Sequence, residues 1–509
     1  MFLSLKELFV VLVIAAAIFR LAKPAAGLFV TPADITRRRN IWFLLTVAGF
    51  LSPSFWLYAL VAIPVMVIAG RKDSNPAALY LLLLQVVPPV DIAVPMLGMG
   101  RLFDINNYLL LSFFVLVPAS VRFARSKDPS QKQGFTATDF CLLAYGILCS
   151  VLYLHTQTPD GGLYPGSMTE SLRRAVIFFF DIFIPYFLIS RTCANQKAIV
   201  DSMASACLGC ALMSAIAMFE SGWHWLLYGE MFNRWTGIIG PNSYIDRGGI
   251  LRAMASSGHS MALGYMLVIA FGFWLYLRTR VKSGGFRLGA TGLYMGGLLS
   301  AYTRGAWVGA GLVYFLYAGL RPRAFTKLAK AIGVAAVVAL LVLLSPLGDR
   351  IIRVLPALGG NVDVYNITYR HRLFERAWEL IQQSPILGDQ AALLQMQDLR
   401  QGQGIIDLVN TYLDILLSNG FLGLTLFMLF ILIPLGKSWS LSRQIKSTDP
   451  DLSMLGACLV ACGISMLVIL ENGSLLGGPQ KIFYAVISLS AAYAYLGRSQ
   501  RLTATARRA

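Results

Sequence analysis

The feature that most constrains this chain is a series of apolar runs, each long enough to cross a bilayer as a helix. A transmembrane helix needs about 20 predominantly apolar residues. The clearest runs are 172–190, 198–219, 259–278, 327–345, 411–436 and 478–496. An open sheet is excluded, because its edges would leave backbone groups unsatisfied in lipid. We therefore predict an all-α, polytopic transmembrane helical bundle of about 12–14 spans.

The composition and the charge distribution support this interpretation. Of 509 residues, 57% are hydrophobic and 13% are charged, which is incompatible with one water-soluble core beneath a polar surface. The net charge of +18 would indicate a nucleic-acid partner in a soluble protein, but here the basic residues concentrate in alternate loops. These loops are 37–39, 122–132, 278–287, 321–330, 437–446 and 498–508. The positive-inside bias predicts that they are cytoplasmic.

Alternation of the spans then assigns the remaining loops to the outer side. The outer loops are 155–171, 220–258, 302–304, 346–410 and 471–477, and the C-terminus is cytoplasmic. The segment 41–69 contains Pro53 and forms either one kinked span or a short hairpin, of which we favour the hairpin. That choice decides the side on which the N-terminus lies.

These assignments divide the chain into transmembrane helices over 1–345, a periplasmic loop over 346–410 that contains short helices, and C-terminal transmembrane helices over 411–509. The loop should contain a helix over 368–383 that ends at Ser384, because the following Pro385 disfavours helical backbone there. Such a helix would lie along the membrane surface or cap a cavity. Its apolar stripe is predicted to consist of Leu373, Phe374, Ala377, Trp378 and Ile381.

The other long outer loop, 220–258, is rich in aromatic residues. They are Trp223, Trp225, Tyr228, Phe232, Trp235 and Tyr244. Interfacial anchoring is the simpler interpretation, and stacking against a sugar ring is the alternative. We find no acidic or histidine cluster with metal-ligand spacing on the outer side, so no metal and no cofactor are predicted.

Basic residues on the assigned outer side are arginines rather than lysines. They are Arg101, Arg173, Arg174, Arg234, Arg247, Arg252, Arg304, Arg350, Arg353, Arg370, Arg372, Arg376 and Arg400. A guanidinium binds phosphate oxygens in a bidentate manner and stays charged when partly buried. The pattern favours an anionic ligand at the outer boundary, although head-group contacts or local ion pairs explain any single arginine. Arg304 stands out because it lies between the apolar runs 286–301 and 305–320 with almost no loop around it.

Four segments resemble motifs of the O-antigen ligase and polymerase superfamily, in the order and topology of that family. The signature span corresponds to 298–317 (LLSAYTRGAWVGAGLVYFLY), the loop helix with its Pro-x-x-Gly end to 369–388 (YRHRLFERAWELIQQSPILG), and the return span to 409–424 (VNTYLDILLSNGFLGL). A weaker match is 252–265 (RAMASSGHSMALGY).

The resemblance implies a metal-independent membrane glycosyltransferase that uses an undecaprenyl-diphosphate-linked glycan as donor at the periplasmic face. It implies that Arg252, Arg304 and Arg370, with the neighbouring Arg372, bind the donor diphosphate. The sequence departs from the family at Val409, where ligases carry a histidine that accepts the proton of the attacking hydroxyl. Asp407 and His371 are the nearest titratable substitutes. His259, at the entrance of a span, is interpreted as a hydrogen-bonded interfacial residue.

The sequence therefore predicts an inner-membrane enzyme that polymerises or ligates a lipid-linked glycan during surface-polysaccharide or exopolysaccharide synthesis. Its partners would be the lipid-linked donor, a glycan or lipid-linked acceptor, and membrane lipid, with no nucleic acid. Two alternatives stay open. A transporter or flippase would move the glycan without forming a bond, and it is disfavoured by the scarcity of polar residues inside spans, of which Asp181 is the clearest. A non-catalytic scaffold of a polysaccharide assembly complex is the other, because of Val409.

Overall fold

The structure is a computed structural model that describes residues 2–96, 100–125, 134–154, 168–237, 251–321, 364–400, 408–475 and 477–506, with isolated positions between 326 and 340 and at 406. Its α-helices are Phe2–Ala26, Pro32–Leu51, Phe55–Lys72, Pro76–Leu83, Asn107–Leu111, Val117–Arg125, Ala137–Leu154, Met168–Phe178, Ile184–Thr192, Gln196–Trp223, Gly229–Thr236, Ser260–Leu277, Gly284–Ser300, Arg304–Leu320, Val364–Gln383, Thr411–Gln444, Pro450–Ile469 and Gly477–Ala506. Short 3-10 helices cover Ala255–Ser257, Ala392–Leu399 and Leu470–Asn472, and π-helical segments cover Ser112–Leu116 and Phe179–Phe183. Over the described ranges, the only sheet is an antiparallel pair, Ile92–Met96 with Gly100–Ile105.

The predicted all-α polytopic fold is confirmed. Six of the described helices are long and apolar enough to cross a bilayer. They are Phe55–Lys72, Ala137–Leu154, Gln196–Trp223, Ser260–Leu277, Thr411–Gln444 and Pro450–Asn472. Other helices, such as Gly284–Ser300 and Arg304–Leu320 with 17 residues each, are slightly shorter than this group. The total of about 12–14 spans stays a prediction.

The segment around Pro53 forms a helical hairpin, as favoured from the sequence. Pro32–Leu51 and Phe55–Lys72 are separate helices, and Ser54 caps the second by accepting a hydrogen bond from the Leu57 N–H. Near the start of the first helix, Arg38 binds Asp73, which directly follows the second, so the two helices run antiparallel. Two helices of 20 and 18 residues return the chain to its starting side.

Loops that were assigned to the same side of the membrane do meet in the structure. On one face, the Ala253 N–H donates to the Ser300 carbonyl, and Thr411 Oγ1 donates to the Gly473 carbonyl at 2.7 Å. The N-terminus belongs to this face, since Arg234 donates to Ser4 Oγ at 3.0 Å. On the opposite face, Arg280 pairs with Asp451. The relative sidedness of these loops therefore agrees with the charge pattern, and we refer to the first face as the outer face.

Small residues let several helices pack closely in this bundle. A Cβ atom added at Gly297 would lie 2.5 Å from Ser214 Oγ, and one added at Gly264 would lie 2.8 Å from Ala306 Cβ. Transmembrane helices associate largely through such close packing, because lipid removes the hydrophobic driving force between them. The second contact joins the helix Ser260–Leu277 to the helix that begins at Arg304, which fixes the depth of Arg304.

Several charged side chains are buried among the described helices and form ion pairs. The buried Arg38 bridges Asp73 and Asp201, the buried Arg191 pairs with Asp139, and Lys481 pairs with Asp181. Asp181 lies in a π-helical segment whose Phe180 ring stacks on Phe113 of the other π-helical segment. The Arg38 and Arg191 pairs lie near helix ends, so the argument from few polar residues inside spans, which was used against a transporter, stays a prediction.

The return helix (Thr411–Gln444) is broken at Gly420. Gly420 has φ +61° and ψ −168°, a backbone conformation that is essentially restricted to glycine. The turn after the loop helix docks on this break: the Phe421 N–H donates to the Pro385 carbonyl at 2.8 Å, and the Leu422 N–H donates to the Ile386 carbonyl at 3.1 Å. Gly388, with φ +68°, completes the contact, because a Cβ there would lie 2.6 Å from the Asn419 nitrogen.

We predict that Gly420→Ala destabilises this docking by about 2 kcal/mol, since alanine is strained at this φ and its Cβ would overlap the Ile386 backbone. Hydrogen exchange of the segment 385–390 should accelerate in the variant, and its melting temperature in detergent should fall. The matched control is Gly436→Ala in the same helix, where a Cβ meets nothing within 4 Å. Equal behaviour of the two variants would contradict the role given to the break.

Candidate functional site

The helix ends of the outer face converge on one place, which we call the outer junction. It comprises residues 252–265, 302–305, 410–412 and 470–473. Tyr265 joins two of these segments, since its hydroxyl donates to the Asn472 carbonyl at 3.1 Å and lies 3.4 Å from a Cβ built on Gly305. Thr411 joins a third through Gly473. All four segments therefore belong to a single hydrogen-bonded unit.

Arg252 and Arg304 lie in two segments of the chain that are adjacent within this junction. Arg252 is buried, and its Nη2 is 3.4 Å from Oγ1 of Thr303, the residue directly before Arg304. Arg304 is exposed and is the first residue of the helix Arg304–Leu320. Free backbone N–H groups and the macrodipole at a helix N-terminus favour an anion there. Arg304 thus adds a guanidinium to a place that is already electropositive.

The signature tryptophan of the Arg-Gly-Ala-Trp motif stabilises the turn before Arg304. Trp307 Nε1 donates to the Leu298 carbonyl at 2.8 Å, and its ring packs edge-on against Tyr302. Leu298 lies in the last turn of the preceding helix, whose carbonyls have no intrahelical partner. The motif therefore closes the connection between two helices in only three residues, Ala301–Thr303.

Glu220 positions the segment that carries Arg252, and the sequence analysis missed it. This buried carboxylate accepts hydrogen bonds from the Leu227 N–H at 3.0 Å, the Met254 N–H at 3.0 Å and the Ala255 N–H at 2.8 Å. Three backbone donors satisfy an acid that would otherwise be costly to bury. The sequence signal was present, since an acid so close to the end of a long apolar helix needs local partners.

The loop helix (Val364–Gln383) brings a third arginine to the junction. Arg370 Nη1 lies 3.4 Å from Oδ1 of Asn472, whose carbonyl accepts from Tyr265. The helix ends at Gln383, which confirms the predicted stop at Ser384. His371 and Arg372 are exposed, and His371 Nδ1 lies 3.3 Å from Oε1 of Glu375. Arg370 therefore contacts the junction directly, whereas His371 and Arg372 lie on the open surface beside it.

The buried face of the loop helix differs from the predicted stripe. Leu373, Ala377 and Ile381 are buried as predicted, and Tyr369 and Leu380 join them. This face packs on Leu413 and Leu417 of the return helix and on Met396. Phe374 and Trp378 were wrongly placed in the stripe, because they are 52% and 40% exposed. Their rings lie nearly parallel, at 6° with centroids 6.2 Å apart.

Strained backbone accompanies the junction. The described non-glycine residues with positive φ are His224, Ala255, Tyr302 and Val409, and the last three lie within or directly beside the junction segments. Val409 is the most unusual, since a β-branched side chain rarely adopts φ +43°. Its neighbour Asn410 caps the return helix by accepting from the Tyr412 and Leu413 N–H groups. Strain of this kind persists only where the surroundings fix it, and it is concentrated at functional sites.

Other predicted residues have different outcomes. Asp407 lies outside the described residues. His259 confirms its predicted hydrogen-bonded role, because its Nδ1 accepts from the Met261 N–H at 3.2 Å and caps the helix Ser260–Leu277. Arg101, Arg247, Arg350 and Arg353 have no described side chain.

The aromatic residues of the 220–258 loop correct the sequence analysis. Tyr228 and Trp235 are buried and pack on Phe50 and Phe55 of the helical hairpin, so they neither anchor at the interface nor stack on a sugar. Trp223 is the exposed one, at 70%. Tyr244 lies outside the described residues.

Comparison with known families identifies the segment that contains this geometry. Residues 289–428 match the family model of the O-antigen ligase. Over this segment, which is about a quarter of the chain, the protein is similar to the O-antigen ligase family. The match covers the turn before Arg304, the loop helix and the broken part of the return helix, which confirms the resemblance for three of the four motif segments, and the weaker segment 252–265 lies outside it. No curated protein matches the chain. Arg252, Glu220 and Asn472 lie outside the matched segment, and the fold brings them next to it.

We predict that Glu220→Gln loosens the segment that carries Arg252. An amide offers one acceptor oxygen, so its NH₂ group would face backbone N–H donors and leave them unsatisfied in a buried place. Hydrogen exchange of residues 251–259 should accelerate, by about tenfold or more for a cost above 1.4 kcal/mol. Glu230→Gln, at an exposed position of the neighbouring helix, should leave that exchange unchanged. Slow exchange in Glu220→Gln would show that other contacts hold the segment.

Proposed function

We propose that this protein is a membrane glycosyltransferase of the O-antigen ligase type, which transfers or polymerises an undecaprenyl-diphosphate-linked glycan at the periplasmic face of the inner membrane. The observation that carries the proposal is the junction itself. Arg252, Arg304 and Arg370 come from three separate segments. Arg252 contacts Thr303, the residue before Arg304, and Arg370 contacts Asn472, whose carbonyl accepts from Tyr265 in the same junction. The similarity of residues 289–428 to the O-antigen ligase family supports a ligase-type activity, and surface-polysaccharide or exopolysaccharide synthesis is the proposed setting.

In this mechanism, an acceptor hydroxyl attacks the anomeric carbon of the donor sugar. The new glycosidic bond forms as the bond between the anomeric carbon and the phosphate oxygen breaks, and the lipid diphosphate leaves with the electron pair. Arg304, Arg370 and Arg252, with Arg372 nearby, stabilise the negative charge that develops on the diphosphate. Guanidinium groups suit this role because they bind phosphate oxygens through two parallel N–H bonds. No metal or cofactor is required in this scheme.

The hydroxyl proton needs an acceptor, and Val409 cannot serve. His371 is one proposed base, since it follows Arg370 on the loop helix and is oriented by Glu375. Asp407 is the other, two residues before Val409. The loop helix, which carries His371, packs on the return helix.

A second candidate, transport of the lipid-linked glycan, gains support from one specific observation. Lys481 and Asp181 pair inside the bundle, where ionisable residues commonly mark a translocation pathway. Asp181 lies in a π-helical segment, a type of helix irregularity that is frequent at functional sites. A transporter would carry the glycan across vesicle membranes and leave its chain length unchanged, whereas the proposed enzyme creates a longer or a transferred glycan.

We predict that Arg304→Ala lowers glycan transfer by about 100-fold or more, because preorganised charge at the leaving group is lost. The measurement is product formation from a purified lipid-linked donor by the full chain in reconstituted vesicles. Arg304→Lys should restore only part of the rate, since an ammonium lacks the bidentate fork. Arg376→Ala is the control, because Arg376 is on the outer face but pairs with Glu379. Unchanged turnover in Arg304→Ala would remove the arginine mechanism.

We further predict that either His371→Gln or Asp407→Asn reduces transfer by about 10²–10⁴-fold, the usual contribution of a positioned base. Glu375→Gln separates the two cases. It should lower the rate if His371 is the base, because it removes the partner of the imidazole, and it should have little effect if Asp407 is the base. The readout is the same transfer assay over a range of pH. Full activity of both single variants would require a base elsewhere.

A further inference from the structure

The exposed side of the loop helix carries two aromatic rings in register with Arg370. Residues spaced by four lie on the same side of a helix, one turn apart, so Arg370, Phe374 and Trp378 form one row. With a rise of 1.5 Å per residue, Phe374 lies about 6 Å along the helix from Arg370, and Trp378 lies about 12 Å along it. The row begins at the junction, where Arg370 contacts Asn472.

The packing of the helix does not account for these rings. The buried face consists of other residues, while Phe374 and Trp378 expose about half of their surface and stack on each other. Exposed aromatic residues on a membrane protein often insert into lipid. In this row, however, His371, Glu375 and Gln382 flank the rings and are themselves exposed. Inserting the rings into hydrocarbon would carry a carboxylate and an imidazole towards it, at considerable cost.

A nearby patch, which we interpret as lipid-facing from its apolar composition, differs from this row. It consists of Ile386, Leu387, Phe421 and Leu422, which are exposed at the break of the return helix, and the last two follow Gly420 in the candidate membrane span. In this patch, apolar residues are neighbours of apolar residues. The aromatic row has flanking hydrogen-bonding side chains instead, so the two surfaces suit different ligands.

We propose that Phe374 and Trp378 bind the glycan of the lipid-linked donor by stacking against its pyranose rings. One face of a pyranose presents C–H groups, which are attracted to the negative face of an aromatic ring. The flanking amide, imidazole and carboxylate groups match the hydroxyls at the ring edges. A glycan whose diphosphate lies at Arg370 would place its first sugars along the row, at the distances of Phe374 and Trp378. This proposal rests on the proposed function for the position of the diphosphate.

The test uses the full chain in lipid nanodiscs and two measurements. The first is the KM and kcat of transfer with lipid-linked donor for Phe374→Ala, Trp378→Ala and the conservative Trp378→Phe. We expect KM to rise about three- to tenfold in each alanine variant with kcat little changed, and Trp378→Phe to stay close to the wild type. The control is Phe421→Ala, which removes an equally exposed aromatic ring from the lipid-facing patch and should leave KM unchanged.

The second measurement does not depend on catalysis. Calorimetry follows binding of the water-soluble oligosaccharide released by mild acid from the lipid-linked glycan of the producing cells. Weaker binding in the alanine variants supports glycan stacking on Phe374 and Trp378, even if no transfer is detected and the proposed function fails. If binding and KM are the same in all variants, the proposed glycan stacking is overturned, whereas the proposed function is not affected. Stronger quenching of tryptophan fluorescence by brominated lipids in the wild type than in Trp378→Phe would place Trp378 in the bilayer and also overturn the proposed glycan stacking.

Discussion

The outer junction depends on how helix ends are satisfied at a membrane boundary. Each helix end leaves up to four backbone groups without intrahelical partners, and water is scarce where helices converge. Here side chains from other helices supply the missing hydrogen-bond partners. Tyr265 and Thr411 donate to carbonyls at the end of the helix Pro450–Asn472, Trp307 donates to the end of the preceding helix, and Glu220 accepts from three N–H groups. These bonds fix the positions from which Arg252 and Arg304 project.

The same principle explains why the loop helix is rigidly placed although it lies in a long loop. Its apolar face packs on the first part of the return helix, and the backbone of its closing turn hydrogen-bonds across the break at Gly420. Gly388 and Gly420 approach so closely that neither tolerates a Cβ atom. The break thus exchanges regular helix hydrogen bonds for bonds to the loop. The loop helix is thereby fixed in place, with Arg370 contacting Asn472 near one end and the docking on Gly420 at the other.

The sequence predicted much of the fold because its strongest signals are local. Apolar runs gave the helices, and Pro385 gave the end of the loop helix. The break at Gly420 could not be predicted, because the apolar run continues through it and its cause is a partner distant in sequence. The displacement of Phe374 and Trp378 from the buried face has the same origin, since the helical period defines a stripe but not which edge of it a neighbour covers. Glu220 and Lys481 find their partners only through tertiary contacts, with residues 254–255 and Asp181.

At Val409 the backbone has an unusual conformation, but the side chain cannot accept a proton. A valine at φ +43° costs about 1–3 kcal/mol and persists only because its surroundings determine it. The cap at Asn410 and the hydrogen bond from Thr411 to Gly473 hold the residues that follow Val409. These contacts of the junction therefore impose the strained φ, which a valine side chain does not favour. Histidine and asparagine tolerate this region of φ better than valine does. Within the proposed function, Val409 therefore has only a backbone role, and the proposed proton acceptors are His371 on the loop helix and Asp407.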